Sequence, residues 1–96
     1  VLNRAEVEAR IRSLKPELAQ RYNVSRIGYF GSFAHGSQHE GSDLDLLVEF
    51  SKPVGWSFFS LEKFLEESLG IQVDLVTRNG LKPMLEARIL KDVRYI

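Results

Sequence analysis

Gly31 and Ser32, ten further residues, and then Asp43-Leu44-Asp45 form the stretch of this chain most able to do chemistry. A tight glycine turn shortly precedes two carboxylates that alternate with a leucine. On a strand, residues i and i+2 point to one face, so Asp43 and Asp45 project together while Leu44 turns into a core. Two like charges side by side repel and disfavour joint ionisation unless something positive sits between them. Hard divalent cations such as Mg²⁺ take oxygen ligands and commonly use one or two carboxylates together with substrate phosphates. The spacing therefore points to a metal-phosphate site.

Asp74 is the third carboxylate of interest. It lies between Val73 and Leu75 in an apolar strand, where an unpartnered ionised carboxylate is costly or has its pKa forced upward. Alternation puts it on a face with Gln72 and Val76, opposite Ile71, Val73 and Leu75. If that is the face of Asp43 and Asp45, three carboxylates can hold two divalent ions about 3.5–4 Å apart, as in two-metal phosphoryl or nucleotidyl transfer. The plainer alternatives are a structural ion pair from Asp74 to Arg26 or Arg78, and surface or loop-capping roles for Asp43 and Asp45.

Other polar residues carry weaker signals. His35 and His39 have the i, i+4 spacing of a helical metal pair, but Gly36 and the polar loop after it argue against a continuous helix there. Ser42 is either a phosphate or metal contact or a loop hydroxyl. Glu49 shares the carboxylate face but lies about 13 Å beyond Asp45 at strand rise, outside the site. Arg78 and Lys82 follow the third strand, and solvated surface is their plain reading. Trp56, Phe58, Phe59 and Phe64 read as core and surface packing, with a partner-facing aromatic patch as the lesser alternative.

The elements that must position these groups follow from periodicity. Asn3 reads as an N-cap, with Glu6 and Glu8 in the first turn. Val7, Ile11, Leu14 and Leu18 form a helical stripe, and Pro16 is expected to break it into pieces at 3–14 and 16–22. Arg26 to Gly31 reads as a strand, Ser32 to Gly36 as a short helical turn, and 37–42 as a loop. Asp43 to Phe50 is the clearest strand, with Leu44, Leu46, Val48 and Phe50 on a wholly apolar face. Trp56 to Leu69 reads as a helix with Gly70 as its C-cap. Ile71 to Val76 is a third strand, Thr77 to Gly80 a loop, Lys82 to Asp92 a last helix, and 93–96 a short final strand. The first two strands are expected to be antiparallel, and the helical crossover between the second and third allows parallel pairing. The expected architecture is an α/β (α+β) fold: a small mixed β-sheet with helices on one face and the other face open.

Size and composition agree. The 96 residues, 44% hydrophobic and 27% charged, suit one globular domain spanning 1–96. With no cysteine in the chain, thiolate chemistry, disulfides and cysteine-based zinc sites are excluded. Thirteen basic and thirteen acidic residues give a formal net charge of zero, so there is no strong nucleic-acid signal. No apolar run is long enough for a membrane span, and no signal-peptide pattern is visible, so the expected location is cytoplasmic.

The residues GSFAHG (31–36), SDLDLLVEF (42–50) and VDLV (73–76) resemble a minimal nucleotidyltransferase of the DNA polymerase beta superfamily, of the stand-alone MNT type. The resemblance covers most of the chain in element order. It implies that Gly31 and Ser32 contact the nucleotide phosphates, where a glycine admits close backbone approach and N–H groups with a hydroxyl suit an anion. It implies that Asp43 and Asp45 are metal ligands, and that Asp74 binds the catalytic metal or deprotonates the acceptor hydroxyl. The implied reaction is Mg²⁺-dependent transfer of AMP from ATP to a hydroxyl, in related proteins a tyrosine of a HEPN-domain partner. Several such pairs are toxin–antitoxin systems, with the nucleotidyltransferase as antitoxin. The alternative is a non-catalytic antitoxin that neutralises a HEPN protein by masking its surface. Self-association is left open. One departure is His35, where the family often has arginine, a permanent cation with a planar donor fork.

Overall fold

The computed structural model describes residues 2–96, so residue 1 of the expected domain lies outside it. The elements run α1 (Arg4–Tyr22), β1 (Val24–Phe30), α2 (Ser32–His35), β2 (Leu44–Phe50), α3 (Ser57–Leu69), β3 (Val73–Thr77), a 3₁₀ turn (Arg78–Gly80), α4 (Pro83–Asp92) and β4 (Arg94–Tyr95). The sheet order is β3-β2-β1-β4. β1 is antiparallel to β2 and to β4, and β2 is parallel to β3. This is the mixed sheet expected from the crossover lengths.

α1 begins at a full capping box. Asn3 Oδ1 accepts from the Glu6 N–H at 2.9 Å, and Glu6 Oε1 accepts from the Asn3 N–H at 3.3 Å. The helix then runs unbroken through Pro16, which corrects the expected division into two pieces. The reason lies in the stripe. Val7, Ile11, Leu18 and Tyr22 keep one helical phase on both sides of the proline, and all four are buried. Burying each such side chain contributes about 1.5–3 kcal/mol, which together outweighs the roughly 3 kcal/mol an interior proline costs.

The main core forms between α1, α3 and the sheet face carrying Leu44, Leu46 and Val48. From α3, Leu61, Leu65 and Leu69 enter it, and Phe58 and Phe64 pack partly against it. Tyr29 of β1 is fully buried there, and its hydroxyl donates to Glu8 Oε2 of α1. Burial and that bond both push the Tyr29 pKa up.

The opposite face is less open than the alternation implied. Leu47 is fully buried on it, outside the main core, and α4 contributes a buried Ile89. Arg78 ties α4 to this face, lying 3.6 Å from Glu49 and 4.0 Å from Glu86. Trp56 and Phe59 take the surface part of the packing expected of the aromatics. They are 85% and 60% exposed, with ring centroids 5.9 Å apart. Among the described residues no helix is long and apolar enough to cross a membrane.

Candidate active site

Three local devices bring the predicted residues toward one end of the sheet. The first is the turn after β1. Gly31 has φ 71° and ψ −144°, a region closed to residues with a Cβ. It precedes α2, and its carbonyl accepts the His35 N–H at 3.1 Å. A Cβ added at Gly31 would overlap Asp45 Oδ2 and lie 3.1 Å from Asp45 Cγ. The glycine is required for its dihedrals, and its missing Cβ leaves the space in which the Asp45 carboxylate lies. Ser32 follows as the first residue of α2.

The second device is the start of β2. Leu44 N–H donates to Gln72 O at 2.9 Å, which sets the parallel register of β2 and β3 from its first rung. The third is the start of β3, where the Val73 N–H donates to Glu66 Oε2 of α3 at 3.0 Å. The resulting register sets Asp45 directly opposite Asp74. In a parallel pair, residues in register point to the same face.

The electrostatics follow from that register. The half-buried Asp45 has its pKa pushed up to about 6, by burial first, then by the negative charges of Asp74 and Asp43, and by a hydrogen bond with Asp74. Asp43 is exposed, one residue before β2, and Asp74 is exposed on β3. Among the described residues, no Lys, Arg or His nitrogen lies within 4.0 Å of any of these three carboxylates. Arg26 and Arg78, the ion-pair partners weighed for Asp74, instead flank Glu49 at 3.8 and 3.6 Å.

The donor set fits a hard divalent cation. It is all oxygen, negatively charged and, among the described residues, without a counter-ion within 4.0 Å. Among the described residues no three His, Asp or Glu side chains close into a preformed metal cage. The fold assembles a carboxylate pair, Asp45 and Asp74, with Asp43 at its edge. Mg²⁺ usually keeps several waters and takes only one or two carboxylates plus phosphate oxygens, so a pair is a sufficient protein contribution.

Two clefts flank the sheet. One of about 530 Å³ touches Asp43 and Ser42, and one of about 610 Å³ lies at the far ends of β2 and β3 around Phe50 and Thr77. Neither is lined by Gly31, Ser32, Asp45 or Asp74.

The weaker candidates separate. Gly36, at φ 72°, ends α2 between the two histidines. His35 Nε2 lies 3.1 Å from Asp92 Oδ2, while His39 Nδ1 is 2.8 Å from the carbonyl of Glu40. They form no metal pair. Ser42 closes its own loop, its Oγ accepting from the His39 N–H at 2.9 Å. Glu66 was not anticipated. A helical glutamate seven residues before a strand start carries no local signal of the bond it makes.

Comparison with known proteins identifies the family. A nucleotidyltransferase domain model matches residues 11–96. The protein adenylyltransferase MntA of Thermococcus cleftensis is 39% identical, over 100% of this chain and 98% of its own length. A solved structure provisionally named a minimal nucleotidyltransferase superposes with a TM-score of 0.83 at 34% identity, covering 97% of this chain and 95% of that one. A more distant likeness, of fold alone, is to the complex of an AMPylated Shewanella oneidensis HEPN toxin with its MNT antitoxin. Its TM-score is 0.68 at 18% identity, over 92% of this chain and 69% of that one. A sheet that sets Asp45 beside Asp74 under a glycine turn, a domain match over most of the chain and a near full-length relative lead to one assignment: this chain belongs to the nucleotidyltransferase domain family, as a minimal nucleotidyltransferase of the polymerase beta superfamily.

Proposed function

We propose that this protein is a Mg²⁺-dependent adenylyltransferase that moves AMP from ATP to a hydroxyl of a partner protein, and that the partner is a HEPN-domain toxin it neutralises. The observation that carries the reading is the register of Asp45 with Asp74 beside the close-approach glycine Gly31. The name of the full-length Thermococcus relative supports the reaction, and the AMPylated HEPN complex supports the partner class.

In this reading the backbone at Gly31 and the hydroxyl of Ser32 bind the triphosphate. Asp43 and Asp45 hold the cation, with Asp74 completing the charged face. Bound Mg²⁺, as one or two ions, neutralises the triphosphate and lowers the pKa of the acceptor hydroxyl. Asp74, exposed on β3, takes the hydroxyl proton. The acceptor oxygen forms a bond to the α-phosphorus as the bond to pyrophosphate breaks. The reaction draws on the cytoplasmic ATP pool. Surface masking alone would leave the paired carboxylates and their glycine turn without a purpose, so the catalytic reading is preferred.

The test is transfer of label from α-labelled ATP to the cognate HEPN protein with Mg²⁺. Wild type labels the partner, and the Asp43→Asn/Asp45→Asn double variant loses at least about a hundredfold in rate, the scale of removing preorganised charge stabilisation. Equal labelling by both would remove Asp43 and Asp45 from the chemistry, and neutralisation by the double variant with no added AMP would replace catalysis with masking.

A further inference from the structure

The contact between His35 and Asp92 lies apart from the carboxylates and has no part in the chemistry above. It joins α2 to the last residue of α4. α2 is only four residues long and is bracketed by two glycines at positive φ, Gly31 at 71° and Gly36 at 72°. Glycine restrains the backbone least, so the segment bearing Ser32 has permissive joints at both ends. Its orientation is held from the side. Phe33 and Ala34 are buried beneath it, Arg4 Nη1 donates to Ala34 O at 3.3 Å, and His35 meets Asp92 at 3.1 Å.

Asp92 is an unusual choice for its position. At the C-terminus of a helix the macrodipole disfavours an anion and favours a cation. His35 sits at the C-terminal end of α2, with its Nε2 turned to that carboxylate. The carboxylate that is misplaced on its own helix is therefore matched by a histidine on the other. Residues that break a local preference yet meet a distant complement are expected where function sets the choice.

We propose that the His35–Asp92 contact is a clasp that positions α2, and through it Ser32, for the nucleotide triphosphate. This rests on the reading of Gly31 and Ser32 as the triphosphate contact. His35 and Asp92 act as positioning residues, not as groups that touch the reacting atoms.

The experiment is calorimetric titration of the full chain with Mg²⁺ and α,β-methylene-ATP, which binds without transferring AMP. His35→Ala and Asp92→Ala are each expected to weaken binding by about two- to fivefold, the scale of one exposed ion pair. The double variant is expected to be no weaker than the weaker single one, because both changes remove the same contact. His35→Arg, which sets a permanent cation with a planar donor fork opposite Asp92, retains at least wild-type affinity. Glu17→Ala is the control. It breaks an exposed ion pair with Arg21 on α1, and its affinity should equal wild type. The clasp is overturned if wild type binds and Asp92→Ala binds equally well, if the two single effects multiply, or if Glu17→Ala weakens binding as much. A wild type that binds no nucleotide overturns the triphosphate reading itself, and the clasp with it.

Discussion

The carboxylate of Asp45 lies against Gly31, in the space a side chain at that position would take. A Cβ there would overlap Oδ2 and stand 3.1 Å from Cγ. The turn that ends β1 and the carboxylate that opens β2 are thus one packed unit.

Gly31→Ala tests that unit. The substitution adds a Cβ at φ 71° and drives it into Asp45. We expect a stability loss of about 1–3 kcal/mol from backbone strain and overlap. Nucleotide binding should fall much further than Ser32→Ala alone makes it fall, because Asp45 is displaced as well. Chemical denaturation and nucleotide titration check the two parts, and wild-type binding by Gly31→Ala would refute the packed arrangement.

The raised pKa of Asp45 makes stability depend on pH. Its carboxyl titrates near 6 in the folded protein, against 3.8 for the free group. Between those values the folded state holds a proton that the unfolded chain has released. Stability of the Mg²⁺-free protein therefore falls as pH rises from about 4 to 6, and the deficit stays constant above. Asp45→Asn removes the deficit and should gain about 1 kcal/mol at neutral pH, after allowing for the solvent screening of a half-exposed group. Asp74→Asn should lower the Asp45 pKa, readable by carboxyl-carbon NMR. Parallel melting curves for wild type and Asp45→Asn across pH 4–8 would count against the coupling.

Glu66 is expected to matter at a distance. It accepts the N–H of Val73, the residue before Asp74, in a part-buried setting. Glu66→Ala leaves that donor unpaired, costing about 1–3 kcal/mol, and loosens the start of β3. Glu66→Gln keeps an acceptor oxygen and should hold most of the stability. Denaturation midpoints of the two variants, with AMP-transfer rates alongside, make the comparison. Equal midpoints for Ala and Gln would remove Glu66 from the account.

Pro16→Ala should stabilise the protein. The proline is exposed, so little packing is lost, and an alanine N–H restores the helical bond that proline lacks. A gain of about 1–3 kcal/mol is expected, below or at the full propensity difference. A thermal melt suffices, and a lower melting temperature would mean that the proline serves the fold in another way.

Much of this could be read along the chain because periodicity is a local property. The alternation of 44–50 names a strand and its faces, the stripe from Val7 to Leu18 names a helix, and Gly31 before Asp43 and Asp45 names a turn before carboxylates. Even the error at Pro16 was local. A breaker carries no local sign of the burial that overrides it. Pairing between distant segments is a different matter. That Asp74 stands opposite Asp45 depends on a register set by the Gln72 carbonyl and by Glu66. That Arg26 and Arg78 turn to Glu49 rather than to the aspartates depends on where the sheet and α4 meet. The His35–Asp92 contact spans 57 positions. Hydrophobic spacing says which way a side chain points, but which charges then face one another is settled only when the layers pack and each buried or paired group finds its neighbour.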